Sequence, residues 1–244
     1  MSTPYGVVLA AGRGTRLQPL TNDRPKGMVD VAGAPLLTYV FDTLVESGIE
    51  ELLVVVGYRK TTIIEHFGDT YEGVPITYVH QREQRGLGDA VLCAAPHVDG
   101  PFVVLNGDNV FEGDLSWLLD RWSNEWADAD ALLAVESVDR ETATQTGVVT
   151  VDDRGRVTDI VEKPADPPTT RVTTGCYVGT PALFEALELL RPSDRGEYEL
   201  TDGIGVLVRA GRTVGTVPLE GQRVNVSRPS DIERAEATLD SRSS

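Results

Sequence analysis

The stretch GVVLAAGRGTRLQPL, residues 6–20, ends an apolar run in two alanines and then presents Gly12, Gly14, two arginines and Thr15. Glycine backbone N–H groups let a phosphate approach closely, so this reads as a loop that cradles phosphates. It fits neither common template. Gly12-x-Gly14 is followed by Leu17 where GxGxxG needs its third glycine, and no lysine comes before Lys26 where GxxxxGK[ST] needs one. Arg16 and Lys26 are instead the cations available to neutralise the oxygens of a triphosphate. Two other stretches carry polar clusters after apolar runs: HQREQRG, with Gln81 and Gly86, follows Val79, and NGD, with Gly107 and Asp108, follows Leu105. The histidines, a serine-nucleophile motif and the DAD segment offer no further site. His66, His80 and His97 lack metal-ligand spacing, and there is no GxSxG and no evident nucleophile. The DAD at residues 128–130 precedes an apolar run instead of ending one, so it reads as a solvated loop.

The elements that must position these residues alternate. Tyr5 to Ala10 reads as a buried strand ending in the glycine loop. PLLTYVFDTLVESG has apolar residues at 36, 37, 40, 41, 44 and 45, with Pro35 at the first turn and Gly48 at the stop, and predicts a helix. ELLVVVGY, ITYVHQ and FVVLNGD follow as strands; TTIIEHFG, GLGDAVLCAA and DLSWLLDRWSNEW follow as helices. This order predicts an α/β fold, a parallel sheet with helices on both faces, and ligands beyond the carboxyl ends of the strands. After about residue 130 the pattern changes. ALLAVESV, GVVTVD, GRVTDIVEK and VTTGCYVGT read as strands, PALFEALELL and LTDGIGVLVRAG as helices, and RTVGTVPL and RVNV as short strands before a last helix, SDIERAEATL. The proline-rich EKPADPPTT is a loop inside this half, not a boundary. The expectation is one domain, residues 1–244, with a nucleotide-binding half at about 1–130 and a second-substrate half at about 131–244.

Bulk composition narrows the partners. The formal net charge of −16 argues against nucleic acid and anionic membrane. No run approaches 18 apolar residues and no signal-peptide pattern opens the chain, which reads as cytoplasmic. Of 22 basic residues only Lys26, Lys60 and Lys163 are lysines. So acidic and lysine-poor a composition suits a salt-loving host, because the Debye length falls to about 3 Å at about 1 M salt and relieves self-repulsion. Cys93 and Cys176 read as buried reduced thiols. Trp117, Trp122 and Trp126 suit core packing, with an interface in a homo-oligomer as the other use.

Taken in order, LAAGRGTRLQPLTNDRPKGMVDVAGAPLL, QREQRGLGDA, LNGDN, TGVV, VEKP, TTGCY, GEYELTD and VNVSRPSDI resemble the motifs of the sugar-1-phosphate nucleotidyltransferases, or nucleotide-sugar pyrophosphorylases, along almost the whole chain. The resemblance implies a Rossmann-like three-layer α/β/α fold with a mostly parallel central sheet and a mixed, sugar-binding second half. The family's substrates are a nucleoside triphosphate and a sugar 1-phosphate, whose oxygen attacks the α-phosphorus and expels pyrophosphate. A phosphate monoester with a second pKa of about 6 is already mostly dianionic at pH 7, so no general base is needed. Alignment and charge stabilisation are what the catalyst must supply. By this resemblance Leu9, Ala10, Ala11 and Gly12 meet base and ribose, with Gly14, Thr15 and Gly107 completing the nucleotide site. Arg16 and Lys26 bind the triphosphate and the departing pyrophosphate, and Gln81 and Gly86 read the pyrimidine edge. Asp108 and Asn225 hold Mg2+, a hard cation that takes oxygen ligands. Gly147 and Glu162 hold sugar hydroxyls, Lys163 the sugar phosphate, and Thr173 lies near the sugar.

The motifs are a hybrid. GDN is similar to glucose-1-phosphate thymidylyltransferases, whereas QREQRGLG and Asn225 are similar to uridylyltransferases. Leu87 stands where the latter carry threonine, and Thr173 where N-acetylglucosamine enzymes carry asparagine. The resemblance therefore points to glucose 1-phosphate with UTP, with dTTP or N-acetylglucosamine 1-phosphate as the alternatives. A non-catalytic regulatory subunit should have lost phosphate or metal residues, yet Arg16, Lys26, Asp108 and Lys163 are present. A DxD-type glycosyltransferase has no need of the GTR…PK loop. The chain is also expected to lack the hexapeptide-repeat β-helix that some relatives carry.

Overall fold

The computed structural model describes residues 5–242. In chain order the strands and helices are β1 (Tyr5–Ala10), β2 (Asp30–Val31), β3 (Ala34–Pro35), α1 (Leu36–Glu46), β4 (Glu51–Val56), α2 (Lys60–Phe67), β5 (Thr70–Tyr71), β6 (Val74–His80), α3 (Leu87–Cys93), β7 (Phe102–Asn106), β8 (Asn109–Phe111), α4 (Ser116–Glu125), β9 (Ala131–Ser137), α5 (Arg140–Ala143), β10 (Gly147–Val151), β11 (Val157–Glu162), β12 (Arg171–Gly179), α6 (Pro181–Glu188), α7 (Leu200–Arg209), β13 (Val214–Pro218), β14 (Arg223–Asn225) and α8 (Ser230–Arg242). Each strand and helix expected from the hydrophobic pattern is present. The pattern missed β2, β3, β5, β8 and α5, which at two to four residues are too short to show a period.

A ten-stranded sheet runs β11-β10-β12-β7-β1-β4-β6-β5, with β9 paired to β12 and β13 to β9. β7, β1, β4 and β6 are mutually parallel. In the second half β10, β11, β12 and β9 pair antiparallel, which makes it mixed as expected. Successive strand residues point to opposite faces, so the uninterrupted apolar runs of β1 and β4 serve two cores. Val7, Leu9, Leu53 and Val55 pack towards α3, α6 and α7, while Val8, Ala10, Leu52 and Val54 pack towards α1, α2 and α4. Trp122 is buried in the second core and Trp117 and Trp126 pack against it. Cys176 is buried, and burial pushes its thiol well above the ordinary range. Cys93 corrects the expectation of two buried thiols, for it is only half-buried on α3.

Two features of this frame place the site. First, β12 pairs with β7 through Cys176–Gly179 and with β10 through Val172, on the same edge. Between these contacts β12 pairs with neither strand, and on its other edge the β12–β9 register shifts between Thr173 and Tyr177, around Gly175 with φ +78°. The sheet therefore forks between β7 and β10, and a cleft of about 760 Å³ opens at the fork. Second, β8 and β14 form a separate two-stranded ribbon. A third apolar cluster, with Val110, Val224, Val226, Ala235 and Leu239, packs this ribbon under α8.

Candidate active site

β1 ends at Ala10, and the loop behind it is built by contacts to its own backbone. Gly107 N donates to Leu9 O at 3.0 Å, and a Cβ at residue 107 would lie 2.7 Å from that oxygen. Ala11 O accepts from Tyr58 N at 3.2 Å and from Gln84 Nε2 at 2.9 Å. Gly12 has open space around its missing Cβ. Gly14 has φ +67°, and a Cβ there would lie 2.8 Å from Lys26 Cβ, so the glycine lets the lysine's turn pack against the loop. Thr21 Oγ1 donates to Gly14 O at 2.8 Å, and Leu17 is fully buried below. Thr15 and Arg16 follow in a short 3-10 turn, and Arg16 reaches the cleft.

Gln81 follows β6 and is buried. Its Nε2 donates to Gly86 O at 3.1 Å and to Asp89 Oδ2 at 2.8 Å, so both amide protons are taken up. Gly86, with φ +109°, abuts Tyr198, whose oxygen a Cβ would meet at 2.6 Å. Gly88 N donates to Tyr198 O at 2.8 Å and Tyr198 N to Arg85 O at 2.6 Å, so the GEYELTD segment is buckled to the QRGLG segment.

The fold joins Asp108 and Asn225 although 117 positions separate them. β14 pairs antiparallel with β8, setting Asn225 opposite Asn109, and Val226 N donates to Asp108 O at 2.8 Å. Asn225 Nδ2 lies 3.2 Å from Asp108 Oδ1, and Lys26 Nζ lies 2.5 Å from Asp108 Oδ2. Among the described residues no group of three or more His, Cys, Asp or Glu could hold a metal. One carboxylate and one amide oxygen nevertheless suit a divalent cation that takes its other ligands from substrate phosphates and water. The amide would have to present Oδ1, a half-turn about the last side-chain bond.

Across the fork lies a second polar cluster. Gly147 and Glu162 face each other in the β10–β11 register. Glu162 Oε2 accepts from Thr201 Oγ1 at 3.1 Å, and Oε1 faces Lys163 Nζ at 3.1 Å and Arg195 Nη2 at 3.8 Å. Lys163 has φ +45°, a left-handed conformation held by its N–H on Thr146 O at 3.0 Å. Thr173 is buried and hydrogen-bonded to the Tyr177 hydroxyl, whose ionisation burial pushes far up. Burial, with Glu199 and Glu162 nearby, raises Asp202 above the usual carboxylate range. A Cβ at residue 147 would meet Thr201 Cγ2 at 2.6 Å and both Glu162 Oε2 and Thr173 Oγ1 at 3.2 Å. Gly147→Ala is therefore expected to cut kcat/KM for a sugar 1-phosphate about 100-fold by displacing Thr201, which holds Glu162. The KM for the nucleotide should stay unchanged, which steady-state kinetics on the two substrates will decide.

Of the residues singled out in the sequence, Arg16, Asp108, Gly147, Glu162, Lys163, Thr173 and Asn225 line the one cleft, and Lys26 enters through Asp108. Leu9, Ala10, Ala11, Gly12, Gly14, Thr15, Gln81, Gly86 and Gly107 are not part of its wall; Leu9 is joined to Gly107, and Ala11 to Tyr58 and Gln84. Sequence reasoning missed Glu136, Arg195, Glu199, Thr201 and Arg223. Only GEYELTD carried a signal for Glu199 and Thr201; nothing marked Arg223 or Glu136, which meet across 87 positions. The DAD segment holds no site: Asp130 accepts from Thr213 N at 3.0 Å, a local tie. Lys60 Nζ lies 3.3 Å from His80 Nδ1 on the exposed surface. Among the described residues no helix is long and apolar enough to cross a membrane.

The chain is similar to known proteins along most of its length. The Nucleotidyl transferase family model matches residues 5–239. The chain is 49% identical to the UTP–glucose-1-phosphate uridylyltransferase AglF of Haloferax volcanii over 96% of its own length and 95% of that protein. It is 35% identical to the bifunctional protein GlmU of Methanocaldococcus jannaschii over 96% of its own length and 53% of that protein, so it spans about half of that relative. A UDP-glucose pyrophosphorylase solved with UDP-glucose superposes with a TM-score of 0.86 at 25% identity, covering 97% of this chain and 98% of that one. The glycine loop without a P-loop lysine, the carboxylate–amide pair beside it and the facing carboxylate–lysine cluster thus belong to a chain that is a member of the nucleotidyl transferase family.

Proposed function

We propose that this chain transfers a uridylyl group from UTP to glucose 1-phosphate, giving UDP-glucose and pyrophosphate. The observation that carries the reading is the forked cleft. It sets Asp108 and Asn225, with Lys26 bonded to Asp108 from behind, on one wall and Glu162, Lys163 and Thr201 on the other. Two phosphate-binding lobes facing each other are what an in-line attack at an α-phosphorus requires. The likeness to AglF over nearly both whole chains supports the choice of UTP and glucose 1-phosphate.

In this reading the chain is one catalytic domain, with the nucleotide in residues 1–130 and the sugar phosphate in residues 131–244. The backbone of Leu9, Ala10, Ala11 and Gly12, with Gly107, walls base and ribose. Gln81, its amide protons already engaged, offers its amide oxygen to the pyrimidine N3–H, with Gly86 beside the base. Lys163 and Arg195 hold the sugar phosphate, and Glu162 and Thr201 the sugar hydroxyls with Gly147 and Thr173. The sugar phosphate oxygen forms a bond to the α-phosphorus as the α–β bridging oxygen leaves with its electron pair on pyrophosphate. Arg16 and Lys26 take up that charge, with Gly14 and Thr15 supplying backbone N–H groups. Asp108 and Asn225 hold Mg2+, which supplies charge neutralisation at the phosphates. In this reading the reaction runs in the cytoplasm, where UTP is made, and the composition supports a halophilic host.

The test is a matrix of UTP, dTTP, CTP and ATP against glucose 1-phosphate and N-acetylglucosamine 1-phosphate with Mg2+, at low and high KCl, scored by pyrophosphate release. UTP with glucose 1-phosphate should give the highest kcat/KM. A higher value for dTTP or for the acetamido sugar would overturn the substrate assignment, and no release from any pair would overturn catalysis.

A further inference from the structure

The candidate cation ligands Asp108 and Asn225 belong to the β8–β14 ribbon, which is not part of the main sheet. The sugar-side strands β9 and β12 are in that sheet. Some contact must fix one against the other, and Arg223 makes it. It stands two residues before Asn225 in β14, so both side chains leave one face while Val224 enters the core under α8. Arg223 Nη1 donates to Asn109 Oδ1 at 2.8 Å, and Nη2 pairs with Glu136 on β9. Asn109 is fully buried, and its Nδ2 donates to Thr174 O of β12 at 2.9 Å. The same Asn109 Oδ1 lies 3.5 Å from Asn225 Nδ2. One guanidinium fork thus ties β14, β8 and β9 together, and Asn109 extends the tie to β12.

Charge points the same way. The Arg223 side chain is 12% exposed, and its Nε is buried without a partner. A guanidinium has no acceptor atom and ligates no cation, and a buried positive charge beside a cation site opposes binding unless neutralised. Glu136 neutralises it. Lysine, a single point charge, would reach one of the two partners and not the fork.

We propose that Arg223 is a positioning residue for the divalent cation, acting with Glu136 through Asn109 on Asn225 and Asp108. The inference rests on the assignment of Asp108 and Asn225 to the cation. Partners of this kind, outside the ligand set, change metal affinity by about 10–100-fold when removed.

Mn2+ binding by the nucleotide-free enzyme, followed by the electron paramagnetic resonance of free Mn2+, tests it. The double variant Arg223→Met/Glu136→Gln removes both charges together and leaves the net charge unchanged. It should bind Mn2+ about tenfold more weakly, and the Mn2+ concentration for half-maximal activity should rise in parallel, with the KM for UTP unaltered. Glu136→Gln alone, which keeps shape and acceptor, should also weaken binding and covers the case in which the double variant does not fold. Arg223→Lys should fall between wild type and the double variant. Wild-type Mn2+ affinity in the double variant or, should it not fold, in Glu136→Gln, with affinity still lost in Asp108→Asn, would overturn the role of Arg223 alone. Unchanged affinity in Asp108→Asn would overturn the cation assignment and this inference with it.

Discussion

Asp108→Asn should lower the rate of pyrophosphate release about 1000-fold or more and leave the protein folded. The substitution keeps the side chain's size and removes its charge. Among the described residues Asp108 is the only carboxylate bonded to both Lys26 and Asn225, with Oδ2 on the lysine and Oδ1 on the asparagine. An amide in its place is a weak ligand for a hard cation and a weak partner for an ammonium. Losing a preorganised charge at the reacting phosphates is worth about 4 kcal/mol of barrier, which is the expected thousandfold. The fold should survive because the backbone of Asp108 still accepts from Val226 N. Its side chain lines the cleft and not the core. Pyrophosphate release with a thermal melt on the same preparation decides it; activity within tenfold of wild type would refute the role assigned to Asp108.

Lys26→Ala should cost about 1000-fold in kcat, by a different route and with an opposite sign on cation binding. The Lys26 ammonium sits on the carboxylate assigned to the cation, and both side chains are largely shielded, at 15% and 22% exposed. In the ligand-free enzyme the lysine therefore competes with the cation for Asp108. Removing it should tighten Mn2+ binding even as turnover collapses, because no ammonium remains to meet the departing pyrophosphate. A mere loss of local order would weaken both. Mn2+ titration beside single-turnover kinetics separates the two outcomes, and weaker Mn2+ binding in Lys26→Ala would overturn the competition. Gly14 leaves room for Lys26 Cβ, which a Cβ at residue 14 would meet at 2.8 Å.

The sequence by itself determined the alternation of strands and helices, because burial of one face imposes a period that is read locally. It marked the candidate phosphate loop, because Gly12, Gly14, Arg16 and Lys26 lie within one short segment. Through ordered motifs it also pointed to Asp108, Glu162, Lys163 and Asn225 as a set. Only the tertiary structure decided which of these meet. Asp108 joins Asn225 because β14, legible in RVNV, pairs with β8, a three-residue strand too short to leave a pattern. Thr201 reaches Glu162, and Arg195 faces it, because α7 and the loop before it dock beside β11. The fork that makes the cleft depends on a register shift at Gly175, where a Cβ would meet Asn106 Nδ2 at 2.5 Å and Asn109 Nδ2 at 2.7 Å. Hydrophobic period reports which face a residue is on. Strand pairing between distant segments decides which polar side chains share a face, and that is why Arg223 and Glu136 were silent until the chain was folded.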